Sequence, residues 1–388
     1  MRDPVDLKEF WSRTIQWCHT LMKLRASSFR SCAPEAPARG ARIGPPPMTA
    51  FLECRHVTKI FGGGLFNRGH NTALEDFSLE ITSEPPSITA IVGESGSGKT
   101  TLARLLLGLI APTRGEVLYR GKALPALSAG ERRQFLRDVQ VIMQDPYEVY
   151  NPFYRVDHVL ETPIRKFGLA HGRDAERHLT EETLRAVGLR PDDTLGRHPH
   201  QLSGGQRQRI MVARALLLKP KLIIADEPVS MVDASLRATI LETLQVLNRD
   251  FGISLIYITH DLTTAYQVAE NIIVLYRGSV AEVGDVELVV KQPQHPYTQL
   301  LVGSIPQPDP ALAWRAEEIQ AGIPGAGGAR ACKFAGRCPH AMPICVENPP
   351  PLFRTATHRA AACYLHNGAP VLDPREMNDV FVQPGVPA

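Results

Sequence analysis

No run of eighteen consecutive apolar residues occurs in this chain, so nothing in it reads as a transmembrane helix and any membrane role is expected to come through a partner. Closely paired cysteines are missing too: there are seven Cys, none in the C-x2-C spacing of common zinc sites. Charge of one sign is also scarce. The chain has 43 Lys and Arg against 40 Asp and Glu, a net +3, and residues 1–47 carry eight of the basic and four of the acidic side chains, which leaves about −1 on the rest. A body without surplus positive charge lacks the basic stripe that follows a nucleic-acid backbone, so no nucleic-acid partner is expected. The N-terminus has no clean apolar segment ahead of a small-residue cleavage site, which argues against a signal peptide. What is present, 388 residues at 44% hydrophobic and 21% charged, suffices for about two globular domains plus tails.

The most informative stretch is Gly93-Glu94-Ser95-Gly96-Ser97-Gly98-Lys99-Thr100-Thr101, which fits G-x-x-x-x-G-K-[ST] at every fixed position. Its glycines let the backbone fold tightly enough for successive N–H groups to face one anion, and a following helix turns its positive end to the same place. Lys99 is then expected on the β and γ phosphates and the Thr100 hydroxyl on Mg²⁺. The flanks suit this, since Ile88 to Val92 is a buried-strand run and Leu102 to Leu109 is helix-forming. Upstream, residues 51–57 and 73–81 read as strands either side of the Gly62-Gly63-Gly64 turn, with Phe61 placed to stack on an adenine ring.

Downstream, residues 115–119 and 139–143 read as strands, the second running into Gln144, whose amide would reach a metal or water at the carboxyl edge of an open α/β sheet. Residues 145–219 are mostly helical in pattern, with breaks at Gly168, Gly172, Gly188 and Pro199, and read as an inserted helical lobe. The lobe ends in Leu202-Ser203-Gly204-Gly205-Gln206 ahead of a helix over 210–218. A hydroxyl and bare N–H groups at a helix start form an anion site. Leu222 to Ala225 is a short apolar strand that ends in Asp226-Glu227. Asp226 is expected to help hold Mg²⁺ and Glu227 to orient and deprotonate the attacking water. The next strand, 253–259, delivers His260.

Leu-Ser-Gly-Gly-Gln between such a phosphate loop and such a carboxylate pair resembles the signature of the ABC transporter ATPases. The resemblance implies a P-loop NTPase α/β core with an inserted helical subdomain. It also implies that Ser203, Gly204, Gly205 and Gln206 bind the ATP held by a partner ATPase, and that His260 contacts the γ-phosphate. Asp233 would make a contact across the dimer. The loop Ser230-Met231-Val232-Asp233 departs at Met231 and Val232 from the family's usual Ser-Ala-Leu-Asp. Gln294-His295-Pro296-Tyr297-Thr298-Gln299-Leu300-Leu301 is similar to the segment that follows the core in oligopeptide and dipeptide importers, some of whose relatives carry nickel. Gln144-Asp145-Pro146-Tyr147 with Asn151-Pro152 also fits that group, although Val149 stands where a Ser is usual.

Four cysteines gather late in the chain: Cys332, Cys338, Cys345 and Cys363. Their C-x5-C-x6-C-x17-C spacing leaves metal binding and free thiols both open. The segment Cys332-Lys333-Phe334-Ala335-Gly336-Arg337-Cys338-Pro339 resembles the cluster-binding tail of peptide-importer ATPases, which implies a [4Fe–4S] cluster, with zinc as the alternative.

These readings divide the chain into an N-terminal extension (1–47), an ABC ATPase domain (48–290, helical lobe 145–219), a Cys-containing C-terminal domain (291–365) and a flexible tail (366–388). Within the extension, Phe10, Trp11, Ile15, Trp17, Leu21 and Met22 with nearby basic residues also read as a stretch that could lie on a membrane surface. The family implies an ATPase with ATP and Mg²⁺, peripheral on the cytoplasmic face of the inner membrane. Its expected partners are two membrane-spanning permease subunits, a second ATPase subunit, identical or not, and, indirectly, an extracytoplasmic solute-binding protein. The expected cargo is peptide, with nickel or another small solute as the alternative. A DNA-repair ATPase of the same superfamily would carry a long coiled coil between Thr101 and Ser203, and a ribosome-acting one would carry two motif sets; neither feature occurs.

Overall fold

Alternation along the strands decides how this chain is layered. In the computed structural model, which describes residues 50–62, 70–144, 150–305, 323, 328 and 331–382, the run Ile88–Val92 is buried at every position. Ile88, Ala90 and Val92 enter one hydrophobic cluster, while Ile91 enters another on the opposite face. Leu222 and Ile224 likewise part from Ile223 and Ala225. A sheet covered on both faces calls for such nearly continuous apolar runs.

From the N-terminal end of the described chain come β1 (Leu52–Gly62), β2 (His70–Ile81) and β3 (Ile88–Val92). Then follow α1 (Lys99–Leu106), β4 (Arg114–Tyr119), β5 (Lys122–Ala123), α2 (Ala129–Asp138) and β6 (Val139–Ile142). The lobe holds α3 (Asp157–Phe167), α4 (Arg173–Ala186), α5 (Pro191–Thr194) and α6 (Gly204–Leu217). The core resumes with β7 (Leu222–Asp226), α7 (Ala234–Phe251), β8 (Ser254–Thr259), α8 (Leu262–Val268), β9 (Asn271–Tyr276) and β10 (Ser279–Asp285). Last come α9 (Val286–Lys291), α10 (Pro296–Gly303), α11 (Pro343–Glu347), β11 (Leu352–Ala356), β12 (Arg359–Ala361) and β13 (Val371–Leu372). None of the helices among the described residues is long and apolar enough to cross a membrane.

Nine strands form the main sheet in the order β13-β11-β12-β10-β9-β3-β8-β7-β6, and β2-β1-β4-β5 form a smaller antiparallel one. The strands β9, β3, β8, β7 and β6 run parallel, so the carboxyl ends of β3, β6, β7 and β8 open on the same edge. Ligands bind at that edge in open α/β sheets.

The C-terminal segments are joined to the core: β12 pairs with β10 and carries β11 and β13 onto the main sheet. An antiparallel edge strand, once formed, offers unpaired N–H and C=O groups that a later hairpin can complete. Packing against the core continues past residue 366. Met377 and Val380 are 2% and 0% exposed, the Asn378 carboxamide oxygen accepts from Glu80 N at 3.0 Å, and Asn271 exchanges bonds with the Val382 backbone at 2.8 and 3.0 Å. The Pro and Gly content of this tail conceals a few apolar side chains that seal the second cluster. The expected N-terminal extension, the Asp145–Tyr147 and Val149 positions and the last six residues of the tail lie outside the described residues. The compact unit that holds everything described begins at Thr49.

Glu282 on β10 anchors the His-Pro-Tyr segment from beneath. Its carboxylate accepts from Gln294 N and His295 N, both at 2.9 Å, and it is wholly buried. Burial pushes its pKa up from 4.5 to about 7, against the pull of those N–H groups, the Thr298 hydroxyl and Arg359. The folded state therefore holds a proton that the unfolded chain has released, and stability falls as pH rises from about 4.5 through about 7, by roughly 3 kcal/mol. Glu282→Gln keeps an acceptor oxygen but has no charge to bury. Thermal unfolding across that window should show a decline in wild type that is flattened in the variant; equal slopes would refute the assignment.

Candidate functional site

The phosphate loop joins β3 to α1, and its glycines are required by close approaches. Gly93 has φ +156°, and a Cβ there would lie 2.2 Å from the Leu275 carbonyl oxygen; at Gly98, φ +104°, it would meet the Ala73 carbonyl oxygen at 2.3 Å. The helix after the loop begins at Lys99, three residues before the expected start, so its first N–H groups belong to the loop itself. Lys99 Nζ donates to the carbonyls of Gly93 at 2.7 Å and Glu94 at 3.0 Å. Burial lowers its pKa, opposed by Glu227, Asp226 and Glu94.

Around this loop lies an open cavity of about 730 Å³. Glu94, Ser95, Gly96, Gly98, Lys99, Thr100 and Thr101 form its floor; Gln144, Glu227 and His260 stand at one end. Phe61, Asn71, Ala73 and Leu301 complete the wall. Phe61 is partly exposed, with Lys59 Nζ 5.1 Å from its ring centre, so one aromatic face is free to meet a flat base. Gly93, Ser97 and Asp226 are not among the residues that line it. Asn71, Ala73 and Leu301 were not singled out in the sequence, where nothing marks a side chain that merely borders a cavity.

The polar end is tightly connected. Gln144 Nε2 donates to Glu227 Oε2 at 3.0 Å, and His260 Nδ1 lies 3.1 Å from Glu227 Oε1. Glu227 is held at φ +47°, a left-handed conformation uncommon for a residue with a side chain, and its N–H is tied to the Ile258 carbonyl at 2.8 Å. Asp226 is 7% exposed, and burial raises its pKa while a hydrogen bond from Thr100 lowers it. Its Oδ1 is buried with no hydrogen-bond partner. An orphaned carboxylate oxygen next to the Thr100 hydroxyl fits a hard, oxygen-seeking cation.

The signature residues do not line this cavity. Ser203 caps α6, its Oγ accepting from Gln206 N at 3.2 Å while Gln206 Oε1 accepts from Ser203 N at 2.9 Å. A Cβ on Gly205 would come 2.5 Å from Leu236 Cδ1 on α7, and one on Gly204 3.3 Å from the Met231 carbonyl, so these glycines seat the signature against the loop that ends in Asp233 and the first turn of the helix after it. Asp233 also lies outside the cavity wall.

Comparison with known proteins matches residues 74–230 to the family model "ABC transporter" and 281–345 to "Oligopeptide/dipeptide transporter, C-terminal region". A putative oligopeptide transport ATP-binding protein of Bacillus subtilis is 42% identical over 282 residues, 72% of this chain and 85% of that protein. The oligopeptide transport ATP-binding protein of Salmonella typhimurium is 40% identical over 279 residues, 70% and 82% of the two chains. The chain belongs to the oligopeptide/dipeptide ABC transporter ATP-binding family. Among solved structures, a dimeric ATP-binding cassette in a post-hydrolysis state with ADP and Pi superposes with a TM-score of 0.54 at 30% identity, covering 61% of this chain and 98% of that one. This ABC protein is accordingly an ATPase, and membership of the family implies ATP and Mg²⁺ in general.

In this ABC ATPase the four late cysteines line one small enclosed cavity together with His340 and Phe334. All four thiols are free, and Cys332 N donates to the Cys345 carbonyl at 2.7 Å. Burial pushes the thiols of Cys332 and Cys338 up and that of Cys363 to about 11, with neighbouring cysteines adding to each shift. Among the described residues no group of three or more His, Cys, Asp or Glu side chains is drawn together in a metal-holding arrangement, so the expected cluster geometry is not formed. The donor chemistry suits a thiophilic metal; the side-chain placement does not yet build its shell.

Proposed function

We propose that this chain is the ATP-hydrolysing subunit that powers import of oligopeptides or dipeptides through an ABC transporter. The observation that carries this reading is one chain in which a complete phosphate site adjoins the oligopeptide/dipeptide C-terminal region, whose Tyr297 bonds the phosphate loop directly. The relatives named for oligopeptide transport support the cargo class.

In the cycle proposed here, the N–H groups of Ser95, Gly96, Gly98, Lys99 and Thr100 and the Lys99 ammonium hold the triphosphate, and Phe61 takes the adenine face. Thr100 and Asp226 would hold Mg²⁺, with Gln144 near it, and the ion would supply positive charge to offset that developing on the phosphates. Glu227 accepts a proton from the water that attacks the γ-phosphorus as the bond to the β-phosphate oxygen breaks. Gln144 orients that carboxylate, and His260 meets the γ-phosphate. Ser203, Gly204, Gly205 and Gln206 close over the nucleotide of a second ATPase subunit, with Asp233 at the seam, as their position outside this chain's own cavity favours. The pair would sit on the cytoplasmic face of the membrane against two permease subunits, with an external solute-binding protein supplying cargo. Phe153 and Tyr154, 87% and 53% exposed soon after Gln144, offer apolar surface for that contact.

We also propose that Cys332, Cys338, Cys345 and Cys363 close on an iron–sulfur cluster, and that an ATPase domain over 48–290, with a helical lobe over 145–219, is followed by a Cys-containing C-terminal domain over 291–365. Uptake of radiolabelled di- and tetrapeptides, with nickel in parallel, tests the cargo in cells lacking the gene. Peptide uptake should fall to background and return with wild type but not with Lys99→Ala. Loss of nickel uptake alone would overturn the peptide assignment.

A further inference from the structure

Glu94, the second residue of the phosphate loop, is gripped by side chains more than two hundred positions away. Arg337 makes a two-pronged contact, Nη1 to Oε2 at 3.0 Å and Nη2 to Oε1 at 3.1 Å. Tyr297 Oη accepts from Glu94 N at 2.8 Å, and the Glu94 carbonyl accepts from Lys99 Nζ at 3.0 Å and Ser97 N at 3.1 Å. The lysine that meets the phosphates is therefore seated on a peptide whose N–H, carbonyl and side chain are all engaged. The outer grip is itself braced: Tyr297 is fully buried, its ring centre 4.5 Å from that of Tyr276 and 5.6 Å from that of Phe334, while the Arg337 guanidinium lies over Phe334 at 5.6 Å.

A carboxylate inside an anion-binding loop is a liability. Glu94 lines the nucleotide cavity, so its negative charge would repel a triphosphate unless neutralised, and Arg337 is the cation in bidentate contact with it. We propose that Arg337 is a positioning residue for ATP: it neutralises and fixes Glu94, and so sets nucleotide affinity from the loop between Cys332 and Cys338. This deepens the ATPase reading and rests on it, but it does not depend on whether the cysteines carry a metal. The pair is partly exposed, at 33% and 40% of its side-chain surfaces, so solvent screens it and the effect is moderate.

The full chain with a fluorescent ATP analogue tests this directly. Arg337→Gln should raise the analogue's Kd and the KM for ATP about three- to fivefold, a larger change than in kcat. The loss should shrink as salt is raised. Arg337→Lys should recover part of the affinity, and adding Glu94→Gln to Arg337→Gln should recover most of it, because the uncompensated carboxylate is then gone. Unchanged affinity in Arg337→Gln would overturn the proposal. So would a double variant no better than the single one, since a merely structural defect would not be rescued by removing a charge. If Arg337→Gln fails to fold, Arg337→Lys against wild type across the salt series decides the matter in the same way. Lys99→Ala is the control for the site: folded wild type that fails to bind the analogue would sink the ATPase reading, whereas normal wild-type binding with an indifferent Arg337→Gln sinks only this inference.

Discussion

Glu227→Gln should bind ATP with near wild-type affinity and lose turnover by about a hundredfold or more. The substitution keeps the shape that Gln144 and His260 contact at 3.0 and 3.1 Å but removes the base. Everything that grips phosphate, from Lys99 to the loop N–H groups, is untouched, so the loss falls on kcat and not on binding. A subunit that binds ATP and cannot hydrolyse it should accumulate as an ATP-dependent dimer, seen as an earlier peak in size exclusion with Mg-ATP than with ADP. The strained backbone at φ +47° is the reason to choose Gln over Ala, because an isosteric side chain leaves that turn and its neighbours in place. Turnover within a few fold of wild type would reject Glu227 as the base and shift attention to His260, the other titratable group at that end of the cavity.

Much of this site was legible because its residues are anchored to strand ends. A strand buried on both faces is mostly apolar, so the polar residues at the carboxyl ends of β3, β6, β7 and β8 stand out, and the parallel order of these strands brings them to one edge. The phosphate loop reads locally because its glycines answer to local backbone needs. The C-terminal region did not read so well. Arg337 is 243 positions from Glu94, and a contact at that separation leaves no periodicity in either segment; Tyr297 was visible only as part of a His-Pro-Tyr segment, not as the acceptor for a loop N–H. The packing of residues 366–382 was hidden for a different reason. Composition measures the average of a segment, and Met377 and Val380 fill their places in the core despite the prolines and glycines around them. The hairpin β11–β12 escaped because its pairing partner, β10, lies across a long intervening stretch.

Replacing any one of Cys332, Cys338, Cys345 and Cys363 by Ser should abolish the colour of anaerobically purified protein. The wild type is expected to be brown, with broad absorption at about 400 nm and about four irons per chain. Serine keeps the size of the side chain but offers a harder oxygen in place of thiolate, a poor ligand for iron in such a cluster. The four cysteines line one enclosed cavity and form no disulfide, so all four thiols are available to a metal. The burial that raises the pKa of Cys332, Cys338 and Cys363 keeps them protonated at neutral pH without metal, so loading should release protons and weaken as pH falls. ATP binding should persist in each variant, because Lys99 and Asp226 keep their places in the parallel core. Colourless protein with one zinc per chain would replace the cluster by a zinc site. Metal-free protein from anaerobic cells, with all four thiols open to alkylation once unfolded, would leave these cysteines as buried packing residues and nothing more.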